Sequence, residues 1–216
     1  MVACRDQMGE DRMAKSKGRQ AGSKSRELQI HDAAVAVFSR KGYAAASLQD
    51  IADSVGILKG SLYYYITSKE QLLFGILDQA HREAMQLMDE VDALQLPAEV
   101  RLGEFVRRIT IFYIKNKDRS ALYFSEWRHL TGDQLDAVLL QRKEMERRVE
   151  SILREAKGEG KTRTDLELKV ATFYLLTAVS GVVNWFRPGG SISAELAANE
   201  VADLSCAAVF RVLVLS

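Results

Sequence analysis

Apolar positions recur at helical spacing along most of the chain. Ile30, Ala34, Val37 and Phe38 fall at i, i+4, i+7 and i+8 and predict a helix over 25–41, which Gly42 stops. Leu48, Ile51, Ala52 and Val55 make a second stripe, opened by Ser47 as a cap with Asp50 three residues on and broken at Gly56. A third helix is predicted over 59–65, with Leu62 facing inward, Tyr63 packed and Tyr64 exposed. Thr67 and Ser68, each with Glu70 or Gln71 three residues later, open a long fourth helix over 68–91. Further stripes and breaks predict helices over 97–115, 119–130, 132–157, 165–186 and 193–213. No run alternates apolar and polar residues between hairpin turns. The expected fold class is all-α, with about nine helices and no sheet.

Within that pattern, 47–69 stands out as two short helices joined by a Gly-containing turn and followed by the capped start of another. This is the layout of a helix-turn-helix, whose second helix lies in the major groove of double-stranded DNA. Residues 1–24 carry six basic and three acidic side chains and little apolar content, which predicts a disordered basic arm. Lys15, Lys17, Arg19, Lys24 and Arg26 suit a phosphate backbone or a merely solubilising tail. The expected division is an arm over 1–24, a helix-turn-helix domain over 25–70, and a ligand-binding and dimerisation domain over 71–216.

Composition adds exclusions. The 216 residues are 47% hydrophobic and 27% charged, ordinary values for a globular chain, with a net charge of +1 that neither announces nor forbids DNA binding. Cys4 and Cys206 stand at opposite ends and suggest neither a metal site nor a disulfide framework; cytoplasmic thiols are the plain reading. The N-terminus has no apolar signal core. The apolar run over 170–186 includes Thr172, Thr177, Ser180 and Asn184 and falls short of the roughly 20 residues of a membrane span, so a buried helix is expected. His31, His81 and His129 are far apart, and no Gly-x-Ser-x-Gly, His-Glu-x-x-His or phosphate-loop sequence occurs, so neither an enzyme nor a cofactor is expected.

The stretch VGILKGSLYYYITSKEQLL resembles the helix-turn-helix signature of the tetracycline-repressor (TetR) family. The likeness extends from about 26 to 77 through Phe38, Gly42-Tyr43, Ser47, Ile51-Ala52, Val55-Gly56, Lys59-Gly60-Ser61-Leu62-Tyr63, Lys69-Glu70 and Leu72. It implies a homodimeric regulator with a palindromic operator, helices eight and nine forming the dimer face and helices four to seven enclosing an effector pocket. Leu58 departs from the pattern, because a capping Ser or Thr is usual there, and Ile66 replaces a usual Phe. The Leu58 form, together with Asn184-Trp185-Phe186-Arg187-Pro188-Gly189-Gly190, Ser193 and Glu195, resembles a narrower branch that controls fatty-acid or sterol side-chain degradation and responds to acyl-CoA thioesters.

For the DNA face, Ser47 and Lys69 near helix starts suit phosphates, and Tyr64 and Tyr65 suit phosphate and sugar. Lys59 and Ser61 suit base edges, Gly60 allows close approach, and Tyr63 is shared between core and groove. For the effector, Phe105, Ile109, Phe112, Tyr113, Phe124, Trp127, Arg128, Phe173, Thr177 and Trp185 read either as the lining of a pocket for a hydrophobic small molecule or as plain core. Two other functions fit the same residues: an efflux-pump repressor responding to hydrophobic drugs, and a helical small-molecule-binding protein with a non-functional headpiece.

Overall fold

The computed structural model describes residues 26–210; the N-terminal arm and the expected last turn of the ninth helix, 211–213, lie outside them. The chain divides into two compact units, one ending at Leu72 and the other beginning at Leu73. Among the described residues there are nine α-helices and no strand.

In the first unit, α1 (26–41) buries Ile30, Ala34, Val37 and Phe38 on one stripe, as their spacing predicts. Gly42 ends it with φ 78°, a conformation that disfavours a side chain. Tyr43 then folds edge-on against Phe38, ring centroids 5.1 Å apart. Helix α2 (Leu48–Val55) opens with a complete capping box. The Ser47 hydroxyl accepts from Asp50 N at 3.2 Å, and the Asp50 carboxylate accepts from Ser47 N at 2.9 Å. Lys41 adds an ion pair to Asp50 at 2.6 Å.

Helix α3 is shorter than predicted, covering Lys59–Leu62. Beyond Leu62 the bonds tighten from i→i−4 to i→i−3, with Tyr64 N donating to Ser61 O and Tyr65 N to Leu62 O, so the segment continues as a turn. The inward direction is set by Leu62 and Ile66, which are buried and four residues apart. Tyr65 shares that face and is half-buried. The expectation that Tyr63 packs is therefore wrong: it is 51% exposed, and Tyr64 is 89% exposed.

Helix α4 (Lys69–Asp92) begins in the first unit and continues into the second. Ser68 opens it by accepting from Gln71 N at 3.0 Å, while Gln71 Oε1 accepts from Thr67 N. The second unit is built around α5 (Ala98–Lys115), which packs against α7 (Gly132–Gly158), α8 (Leu168–Trp185) and α9 (Ala194–Val209). Its core joins Leu102, Phe105 and Ile109 of α5 to Val149 and Leu153 of α7, Leu175 and Val182 of α8, and Ala197 and Ala202 of α9. Gly103 lets α5 approach α9 closely: a Cβ there would stand 3.3 Å from Cys206 Sγ.

Two boundaries differ from the pattern. Helix α6 covers Lys117–Ser125 and passes into a 3₁₀ turn, Glu126–His129. The Ser125 hydroxyl donates to Ala121 O at 3.0 Å, competing for a carbonyl of the helix. Helix α8 starts later than expected because the Glu167 carboxylate caps it, accepting from Val170 N at 2.8 Å. The preceding residues turn instead, and Thr162 forms an isolated antiparallel bridge with Phe210. By length and composition α8 is apolar enough to cross a membrane, with mean hydropathy 1.2, and 33% of it is buried within the chain.

Candidate nucleic-acid interface and ligand cavity

The eight residues proposed for DNA do not present themselves alike. Lys59, Gly60, Tyr63 and Tyr64 are exposed around α3, with Ser61 and Tyr65 half-buried beside them. Leu58 at the start of α3 is 79% exposed and makes no side-chain cap, and no other side chain supplies one.

Ser47 and Lys69 are already committed. The Ser47 hydroxyl donates to Asp50 Oδ2 at 2.9 Å as well as accepting from Asp50 N. The bonds from Lys41 and Ser47 hold the Asp50 carboxyl down at about 2, so a negative charge occupies the start of α2. The Lys69 ammonium donates to Tyr43 O and Ala46 O, each at 3.0 Å, and lies 4.3 Å from the centroid of the Tyr43 ring. It ties the link between α1 and α2 to the first turn of α4. The charge that spacing assigned to a phosphate thus holds three segments of the headpiece together.

In the second unit a cavity of about 220 Å³ opens between α5, α6, α7 and α8. Of the ten proposed ligand residues, Tyr113, Phe124, Phe173 and Thr177 line it. Phe105 and Ile109 are fully inside the core, and Phe112 packs against it. Trp127 and Arg128 sit on the 3₁₀ turn, and Trp185 is half-exposed beside Phe186, Arg187 and Gly190 at a separate dent. These six do not line the cavity.

The pattern of aromatic residues missed Tyr123 and Glu146, which do, together with Arg142, one of several cations along the sequence that suit the phosphates of an acyl-CoA. Arg142 and Glu146 are one turn apart on α7, a helix that carries charged residues on most faces, so no periodicity singles them out. The Arg142 guanidinium lies 5.2 Å from the Trp127 ring centroid and 5.9 Å from that of Tyr123. Burial pushes the Tyr113 and Tyr123 hydroxyls upward, so both remain protonated donors at neutral pH. Tyr123 also reaches His81 of α4, its hydroxyl 3.4 Å from Nδ1. Among the described residues no group of His, Cys, Asp and Glu could hold a metal ion.

An exposed short helix behind a glycine turn, joined by a long helix to an all-helical unit with a cavity between its helices, is the build of a one-component DNA-binding regulator. Comparison with known proteins agrees. Residues 30–83 match the bacterial regulatory proteins of the tetR family, and residues 95–209 match the tetracyclin repressor-like C-terminal domain. The chain belongs to the TetR family of transcriptional regulators and is not an enzyme. It is similar to the HTH-type transcriptional repressor KstR2 of Mycolicibacterium smegmatis, at 31% identity over 176 residues, 79% of this chain and 84% of that protein. The fold is that of the ketosteroid transcriptional regulator KstR2 of Mycobacterium tuberculosis, with TM-score 0.81, 21% identity, and 87% and 96% of the two chains covered. AibR, solved in complex with isovaleryl coenzyme A and operator DNA, is also similar, with TM-score 0.75, 25% identity, and 86% and 98% covered.

Proposed function

We propose that this protein is a homodimeric repressor acting in the cytoplasm, which leaves a roughly palindromic operator when a hydrophobic effector, an acyl-CoA of lipid or sterol catabolism, binds the α5–α8 cavity. The exposed surface of α3 carries this reading. Lys59, Gly60, Tyr63 and Tyr64 form an open polar and aromatic face that is exposed among the described residues, at the position where a helix-turn-helix meets the groove. The similarity to KstR2, and to AibR with its bound isovaleryl coenzyme A, supports the effector class.

Lys59 and Ser61 read base edges, while Tyr64 and Tyr65 meet sugar and phosphate. Each dimer carries two such faces, and the operator holds two half-sites. The effector favours a form of the dimer whose two faces no longer match that spacing; it shifts the population only by its difference in affinity for the two forms.

Val170, Phe173 and Tyr174 of α8 and Leu196 and Leu204 of α9 are exposed and apolar, and a second copy covers them. Ala171 and Ala197 are buried in the core of their own chain.

The test is fluorescence anisotropy with the DNA upstream of the protein's own gene, titrated with acyl-CoAs, free fatty acids and cationic drugs. Specific binding that an acyl-CoA releases supports the reading. Release by the cationic drugs alone points to an efflux regulator. Lys59→Ala is expected to cost about 1–3 kcal/mol of discrimination between operator and random DNA. An equal loss on both sequences sinks its assignment to base reading.

A further inference from the structure

We propose that Arg142 is the anion-recognising residue of the cavity, and that the effector presents to it a compact apolar group with an anionic group beside it. The inference rests on the cavity being the effector site. Most arginines of the second unit already face a carboxylate: Arg101 pairs with Glu155, Arg119 with Glu83, and Arg148 with Asp89 and Asp92. Arg142 is half-buried and, among the described residues, has no carboxylate within ion-pair distance and no hydrogen-bond acceptor. Its contacts are the Trp127 and Tyr123 rings, which attract the cation through their faces and leave its N–H groups uncommitted.

Behind Arg142, and outside the lining of the cavity, stands a second uncommitted donor. The Trp127 indole N–H is buried and has no acceptor. Burying a donor without a partner is costly, and a guanidinium fork fits carboxylate and phosphate oxygens two at a time. Glu146, one turn along α7, lines the same cavity and, among the described residues, forms no ion pair with Arg142. The volume limits the apolar part. About 220 Å³ is below the roughly 300–1,000 Å³ of sites that enclose a drug-sized ligand. A short acyl or ring system enters, and any bulkier part of the molecule stays outside.

Calorimetry on the full-length protein with four probes of one chain length tests this: hexanoate, hexanoyl-CoA, 1-hexanol and hexyltrimethylammonium. Wild type is expected to bind at least one anionic probe about 10-fold or more tighter than 1-hexanol. Arg142→Met is expected to lose about 10- to 100-fold for that probe, with 1-hexanol unchanged within about twofold. Arg142→Lys keeps the charge without the fork and falls between. Hexanoate binding identifies a carboxylate as the head, and binding of hexanoyl-CoA alone identifies the thioester with its phosphates.

Thr177→Phe places a ring at the exposed wall of the cavity and obstructs its mouth. If Thr177→Phe abolishes binding while both Arg142 variants bind as wild type, the cavity stands and the role of Arg142 is overturned. If Thr177→Phe leaves every probe bound, the cavity reading itself is overturned. Preference for the cation, or no binding of any probe by wild type at about 1 mM, rejects the ligand class.

Discussion

Lys69 and Lys59 are chemically the same side chain, ten residues apart, yet they do different work. Lys59 is exposed on α3, whereas the Lys69 ammonium is filled by carbonyls of the α1–α2 link and by the Tyr43 ring. Lys69→Met is therefore expected to lower the stability of the headpiece by about 1–3 kcal/mol through lost charge-assisted hydrogen bonds. The slope of log affinity against log salt should not change. A slope shallower by about 0.9, with the melting temperature unmoved, would return Lys69 to the phosphates. Asp50 gives a pH signature in the same unit. Its folded pKa, about 2, is below the ordinary 3.8, so the native state binds fewer protons than the unfolded state between those values. The contribution of this cap is complete above 3.8 and disappears as pH falls through 3.8 towards 2. Asp50→Asn is expected to remove that part of the acid-unfolding curve, measured by circular dichroism. Sequence spacing identified the cap and the position of Lys69, but not that carbonyls 23 and 26 residues away consume the lysine's donors.

At the level of elements, the helices were legible because stripe, cap and glycine agreed. Ser47, Ser68 and Ser193 cap α2, α4 and α9, and each is signalled by a hydroxyl before an apolar run. The ends of α3 and α6 were not legible, since 3₁₀-type bonds near the tyrosines and at Ser125 leave the hydrophobic pattern untouched. The cavity was harder still. Four of ten expected residues line it, because an aromatic facing the core and one facing a cavity share the same helical spacing. Helix α4 carries a buried histidine that no pattern flagged. His81 sits between Tyr123 and Glu144, its Nε2 3.7 Å from the carboxylate. Burial holds it below the ordinary 6.5, outweighing the upward pull of Glu144 and Asp78. The native state thus binds fewer protons than the unfolded state just below 6.5, and stability falls as pH drops from 6.5 towards the folded value. Urea unfolding followed by tryptophan fluorescence is expected to show this loss, and His81→Leu to flatten it. An unchanged pH slope in that variant assigns the loss to other groups.

For the whole molecule, the decisive surface is the one α8 and α9 leave uncovered. Leu204 is 65% exposed and Val170 66%, each apolar and each on a helix whose other face is core. Size exclusion with light scattering is expected to give twice the 24.2 kDa of one chain. Leu204→Glu should yield single chains that bind the operator far more weakly. Wild type found as single chains at micromolar concentration would defeat the dimer. The helix-turn-helix stands out in the sequence because it is local, whereas the cavity depends on four helices meeting. The apolar face of α8 has one more consequence, for the cell. If the protein pairs through this face, a protomer without its mate displays a helix apolar enough to pass for a membrane segment, which would attract chaperones and proteases. Free single chains would then be short-lived, and the pool of active regulator would grow more steeply than its rate of synthesis. A small change in expression of this gene would become a larger change in operator occupancy, which a reporter titrated against protein level would show.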